Sequence, residues 1–363
     1  MATRRGILKW TGVAALGGAL ATLAGARGAA AANPYYSGPP SDHFDGLHFF
    51  NPGGTPPGTL IDVLKWQFGE GMERWKRPVP APTPTVPERR VDDLRVTMIG
   101  HASMLLQCGG RNVLLDPVFS ERASPLPLGD PLRFNPPGIA FNDLPPIDLV
   151  LISHNHYDHL DVASLKRLVA AHDPEIVTPL GNDTIIHGAA PEARVQAIDW
   201  GEAVEAGGLR ITAEPAHHWS ARGLNDRRKA LWAAFVIESA GDTPGFGRVY
   251  HVGDTGYFAG NNYREAKEKY GGFRLAILPI GAYAPRWFMA PQHQNPPEAL
   301  AGFLECGAET MVAHHWGTFQ LTGEPWDEPP AMLREAMRER GVGEDRVGIL
   351  RPGEWYEPPK AVG

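Results

Sequence analysis

Ser153-His154-Asn155-His156-Tyr157-Asp158-His159-Leu160-Asp161 follows the nearly continuous apolar run Ile147 to Ser153 and precedes Val162 to Ala171, which has helical spacing. A short apolar run of this kind reads as a strand buried on both faces, so the polar stretch lies on a loop at that strand's carboxyl edge. It offers four metal-ligating side chains within six residues. A regular strand would send them to opposite faces. An irregular loop can divide them into two pairs, His154 and His156 toward one ion, Asp158 and His159 toward a second. Imidazole and carboxylate donors suit zinc, with manganese or iron as alternatives.

Working outward, Leu94 to Ile99, Ser103 to Cys108 and Asn112 to Asp116 read as strands, the last two joined by the turn Gly109-Gly110. Further strands are expected at Glu175–Thr178, Leu209–Ala213, Leu231–Glu238, Arg248–Val252, Arg274–Pro279, Thr310–Ala313 and Val347–Leu350. Helices are expected at Asn262–Tyr270, Pro296–Cys306 and Pro329–Glu339. Strands first, then strands alternating with helices, imply an α/β fold of two sheets between helix layers. That domain is expected to occupy residues 94–363.

Before it, residues 33–93 form a proline-rich irregular arm. Thr59 to Trp75 is its one helical stretch, read as packed over the domain, with contact of Trp66, Phe68 and Trp75 with a membrane surface as the alternative. Residues 1–32 carry paired arginines, Arg4 and Arg5, an apolar stretch from Val13 to Ala26, and small residues up to Ala32. That pattern is a twin-arginine export signal cleaved near Ala32-Asn33, which implies a periplasmic or secreted protein. Its four cations, Arg4, Arg5, Lys9 and Arg27, are lost with it, so the mature chain is four units more acidic than the formal net charge of −7. An acidic chain is a poor match for nucleic acid, whose affinity rests on Lys/Arg–phosphate contacts. Cys108 and Cys306 have no metal-type spacing and read as small buried hydrophobes, with pairing after export as the alternative.

The pattern His154-x-His156-x-Asp158-His159 resembles the signature of the metallo-β-lactamase fold, an αβ/βα sandwich of two mixed sheets flanked by helices. Within that fold the chain is most similar to the family of N-acyl-phosphatidylethanolamine-hydrolysing phospholipases D and their bacterial relatives, from about residue 42 to 322. The strings that carry the likeness include Asp42-His43-Phe44-Asp45-Gly46, Phe49-Phe50-Asn51-Pro52, Ile99-Gly100-His101-Ala102-Ser103, Asp116-Pro117-Val118-Phe119-Ser120, Pro285-Arg286-Trp287-Phe288-Met289 and His315-Trp316-Gly317-Thr318-Phe319.

The resemblance implies a dinuclear metal-dependent hydrolase that cleaves a lipid or small-molecule phosphodiester with a metal-bridging hydroxide. It completes the first ion's shell with His218 and the second's with His315, makes Asp254 the bridging carboxylate, and places Asp116 behind the ligand loop. His217 and His314, each beside a ligand, are expected to satisfy backbone partners. The non-ligand His293 and Tyr157 are expected near substrate, whereas His101 and His251 read as structural histidines. Two other functions stay open: a lactonase of a phosphorylated sugar on the same scaffold, and a non-catalytic metal- or lipid-binding protein. Oligomeric state is not legible.

Overall fold

Along β1 (Leu94–Gly100), Val96 and Met98 pack into one apolar cluster and Ile99 into another. The same alternation divides Met104 and Leu106 from Leu105 in β2 (Ser103–Cys108), and Val113 and Leu115 from Leu114 in β3 (Arg111–Leu115). Residues two apart share a face, so strands covered on both sides need apolar residues at every position, which is why the sequence shows runs rather than alternation. The structure, a computed structural model, describes residues 32–59, 61–62, 65–66, 74–76, 84–125, 131–223 and 225–360. The stretch expected to be an export signal, apart from Ala32, lies outside these residues.

The remaining strands are β4 (Leu149–Leu151), β5 (Glu175–Pro179), β6 (Arg194–Ile198), β7 (Ala203–Ala206), β8 (Leu209–Glu214), β9 (Ala234–Ser239), β10 (Val249–His251), β11 (Phe273–Pro279), β12 (Ala308–His314), β13 (Val347–Gly348) and β14 (Trp355–Tyr356). They form two seven-stranded sheets, ordered β14-β1-β2-β3-β4-β5-β6 and β13-β12-β11-β10-β9-β8-β7. Each sheet is mixed: β1–β3 and β7–β10 pair antiparallel, β3–β6 and β10–β13 parallel. The inner faces share one core. Helices α1 (Val162–His172) and α2 (Asn182–Ala189) follow strands of the first sheet, whose outer face carries its own apolar cluster. Helices α3 (Asn261–Tyr270), α5 (Pro296–Glu305) and α6 (Glu328–Arg340) cover the second sheet, and a short α4 (Arg286–Met289) precedes α5. This is the αβ/βα sandwich.

Local signals set the helix starts. Asp161 closes the ligand loop and caps α1 by accepting from Ala163 N–H. Asn295 and Glu298 form a capping box on α5, with proline in its first turn. The sequence left β6, β7, β14, α2 and α4 undetected: β6 is an edge strand with polar Arg194 and Gln196, Gly188 interrupts the helical spacing of α2, and α4 is only four residues long.

At the periphery the described aromatics of the arm pack on the domain rather than standing exposed. Trp66 is buried, its ring stacked on Phe288 at 5.5 Å, and Trp75 Nε1 donates to Glu324 O. Neither is a free aromatic, because each finds a partner on the domain; Phe68 lies outside the described residues. Cys108 and Cys306 are both buried free thiols. Among the described residues no helix is long and apolar enough to cross a membrane.

Candidate metal centre

Parallel strands of both sheets end at one rim, and the candidate residues stand there. His154 to His159 follow β4, His218 follows β8, Asp254 follows β10 and His315 follows β12. Carboxyl edges of parallel strands are where α/β folds bind ligands, since the loops leaving them converge.

Three imidazoles meet on one side. His154 Nε2 lies 2.8 Å from His156 Nδ1, and His218 Nε2 lies 3.1 Å from the same atom. The far nitrogens settle which tautomers are present. His218 Nδ1 faces the carbonyl of Gln292 at 3.0 Å, an acceptor only, so the proton sits on Nδ1 and Nε2 is a bare lone pair. Ser153 gives its hydroxyl proton to Asp116 and thus accepts from His154 Nδ1, leaving His154 Nε2 bare as well. Two lone pairs then face His156 Nδ1, which has at most one proton to offer. Burial holds all three rings neutral, with His156 pushed down to about 3 and His218 to about 4. Converging neutral imidazole nitrogens of this kind suit a divalent cation, whose tetrahedral shell at about 2.0–2.1 Å would separate its ligands by roughly 3.4 Å.

The second group differs in charge. His159 Nε2 lies 3.5 Å and His315 Nε2 3.2 Å from Asp158 Oδ2. Asp116 accepts from His159 Nδ1 at 2.8 Å and from Ser153 N–H at 2.7 Å, so it braces the loop and directs the His159 lone pair inward. Burial works against charge on His159 and His315. The carboxylates of Asp254 and Asp158 nonetheless outweigh it, raising His315 to about 9 and His159 well above the ordinary imidazole value. The field here favours positive charge.

Asp254 joins the groups. Its Oδ2 is 3.1 Å from His315 Nε2, 3.2 Å from His159 Nε2, 3.7 Å from His218 Nε2 and 3.9 Å from His154 Nε2. Its Oδ1 is buried and makes no hydrogen bond among the described residues. A buried carboxylate left half unsatisfied is costly unless a cation meets it, so the donor set fits a divalent cation, and Asp254 is within reach of both groups.

Other candidates divide. His293, between α4 and α5, is buried with Nδ1 4.0 Å from Asp254 Oδ2, and that nitrogen makes no hydrogen bond among the described residues. Burial keeps this ring neutral, against the pull of Asp254. Tyr157 does not present a free hydroxyl: its oxygen donates to Arg222 O at 2.9 Å and its ring lies under the Arg222 guanidinium. The turn at Arg222 thus offers both the hydroxyl and the ring a packing partner. His218 and His315 face the cluster as expected. Their neighbours are not backbone-bound in the way anticipated: His217 stacks on Phe258 at 3.8 Å, and both ring nitrogens of the buried His314 lack a hydrogen bond among the described residues.

His101, read from the sequence as structural, stands at the centre itself. Its Nε2 lies 2.9 Å from Asp158 Oδ2 and its ring packs on His315 at 4.0 Å, which places it in the second group. A histidine next to Gly100 at the end of a strand carries no ligand spacing, so only the sheet-to-sheet approach reveals it. His251 stays behind the cluster, 3.7 Å from Asp116.

Residues 111–316 match the β-lactamase superfamily domain. N-acyl-phosphatidylethanolamine-hydrolyzing phospholipase D 1 of Caenorhabditis elegans is 36% identical over 313 residues, covering 80% of this chain and 85% of its own. The mitochondrial N-acyl-phosphatidylethanolamine-hydrolyzing phospholipase D of Saccharomyces cerevisiae is 34% identical over 255 residues, 69% of this chain and 53% of its own. Among solved structures, an isothiocyanate hydrolase from Delia radicum gut bacteria superposes with a TM-score of 0.55 at 22% identity, over 72% of this chain and 98% of that one, a likeness of fold. The chain therefore belongs to the metallo-β-lactamase-fold, metal-dependent hydrolases of the β-lactamase superfamily, and is related to the N-acyl-phosphatidylethanolamine-hydrolysing phospholipases D.

Proposed function

We propose that the protein is an exported phosphodiesterase of the phospholipase D type, acting on N-acyl-phosphatidylethanolamine-like lipids with two divalent ions, zinc foremost. The single observation that carries the dinuclear reading is the position of Asp254 Oδ2 between the His154/His156/His218 set and the Asp158/His159/His315 set. When bound, such a pair of ions supplies a hydroxide at neutral pH and stabilises charge developing on the phosphate. The chain's own residues do the rest. Asp254 and Asp158 offset the ions' charge, Asp116 and Ser153 hold the imidazoles in their tautomers, and neutral His293 offers an uncommitted nitrogen where a phosphate oxygen or leaving group would lie.

The lipid assignment draws on the names of the two phospholipase D relatives. It also draws on exposed apolar side chains close to the site. Phe258 rests on His217, next to the ligand His218, and the largely exposed Trp287 is on α4, which leads to His293. These suit peripheral contact with a bilayer surface. The test is phosphatidic acid release from N-acyl-phosphatidylethanolamine vesicles by the zinc-loaded protein beside Asp254→Asn. Release by the wild type alone supports the reading. Cleavage of a simple phosphodiester without any of the lipid would discard the lipid, and turnover of lactones alone would discard the phosphodiester.

A further inference from the structure

The two arm strings Asp42-His43-Phe44-Asp45-Gly46 and Phe49-Phe50-Asn51-Pro52 lie outside the superfamily domain, residues 111–316, and take no part in the chemistry above. Their local structure is a tight reversal. Asp45 Oδ1 accepts from Leu47 and His48 N–H, Asp45 N–H donates to His48 O, and Gly46 takes the positive φ of 93° that this turn requires. The turn folds Phe44 back onto Phe49 with ring centroids 4.6 Å apart, and both enter a cluster with Ala216, Leu231 and Trp232. Phe49 N–H then bonds Arg228 O at 2.7 Å. The arm is thereby docked on the segment that bears His218, and the next residue to reach it is Asn51.

Asn51 Nδ2 donates to the backbone oxygen of His218 at 3.0 Å, and Asn51 Oδ1 accepts from Trp232 Nε1 at 3.1 Å. A carbonyl only accepts and an indole N–H only donates, so the amide's orientation is set. Trp232 Nε1 also donates to Ala216 O at 2.8 Å, two residues before His218. Four residues further along the arm, Thr55 O accepts from Gln292 Nε2 at 3.3 Å, and Gln292 O is the group that accepts from His218 Nδ1. The arm thus grips His218 twice, once on its own backbone and once through the residue that orients its ring.

We propose that Asn51 is a positioning residue for the His154/His156/His218 ion: the arm is a built-in clasp that sets His218, so ion affinity at this site depends on residues outside the superfamily domain. The inference rests on the reading of His218 as a ligand. Partners that orient metal-binding histidines typically change affinity by about 10–100-fold.

The experiment is zinc stoichiometry and affinity, by competition with a chromophoric chelator, on the full chain as wild type, Asn51→Leu and Trp232→Phe, with the absorption spectrum of the cobalt-loaded forms. Asn51→Leu keeps the branching of the side chain while removing its donor and acceptor, and Trp232→Phe removes the indole donor together with one ring of a buried side chain. The expected result is two ions in the wild type. Asn51→Leu weakens one of them about tenfold, leaves the other unchanged, and alters the cobalt spectrum, and Trp232→Phe shifts the same ion in the same direction. Excess zinc restores full loading of Asn51→Leu. Two ions at wild-type affinity in both variants, whatever their melting temperatures, would overturn the clasp and leave the dinuclear reading intact. A wild type that binds no ion would overturn both.

Discussion

The imidazole of His101 meets the carboxylate of Asp158 at 2.9 Å while its ring lies 4.0 Å from that of His315, so a residue from the β1–β2 corner of one sheet braces two candidate metal ligands. The backbone is built to hold it there. His101 has a φ of 58°, uncommon for a residue with a side chain, and is pinned by Thr318 Oγ1 on its N–H and by His315 N–H on its carbonyl. His101→Ala is expected to weaken one zinc by about tenfold or more, and His101→Gln, which keeps a donor, to recover part of that loss. Equal zinc affinity in wild type and both variants, measured by chelator competition, would remove His101 from the centre.

Asp116→Asn should act in the same direction through His159. The amide has one acceptor oxygen where the carboxylate has two, so it cannot accept both from Ser153 N–H, now on Oδ1, and from His159 Nδ1, now on Oδ2, and the His159 lone pair loses its alignment. The expected cost is about 10–100-fold in zinc affinity, with kcat falling more than KM rises. Unchanged zinc binding alongside a lower melting temperature would make Asp116 a folding residue only.

Removing metal should destabilise the fold, because the centre gathers buried carboxylates and imidazoles that a cation satisfies. Mass action gives about 2.7 kcal/mol at a metal concentration of about 100 Kd. The melting temperature should fall on chelation and return with added zinc. A melting temperature indifferent to chelator would mean that the folded chain holds no tightly bound ion.

Tyr157→Phe tests the packing assignment. Losing the bond to Arg222 O should cost about 0.5–1.5 kcal/mol in stability, with turnover near that of the wild type. A large fall in kcat at unchanged melting temperature would return Tyr157 to the chemistry.

The arm's attachment should depend on pH through His43, which lies between Asp42 Oδ1 at 2.6 Å and Asp199 Oδ1 at 2.7 Å. Burial lowers its pKa, but the two carboxylates outweigh that and raise it above the model-peptide value of 6.5. A histidine whose folded pKa is raised contributes stability that is full below its unfolded pKa and is lost as pH rises through the folded one. The melting-temperature gap between wild type and His43→Asn should therefore be widest below about pH 6 and shrink as the pH rises. A gap that stays constant from about pH 5.5 to about pH 9 would count against the ion pair.

The sequence by itself determined the layer architecture and most of the centre. His154, His156, Asp158 and His159 are legible because four ligand types crowd into six residues after a strand whose apolar run marks it as buried on both faces. Asp254, His218, His315 and Asp116 were placed by resemblance, and the folded chain brings them to the same rim. Tertiary structure decided the rest, since it turns on approach between segments distant in sequence. His101 sits by Asp158 only because β1 and β12 belong to facing sheets whose edges meet there. Tyr157 is engaged only because Arg222 folds over it, and Trp66 is covered only because α4 lies alongside. Asn51 reaches His218 across 167 positions of sequence, a separation that no local pattern of charge or hydrophobicity encodes.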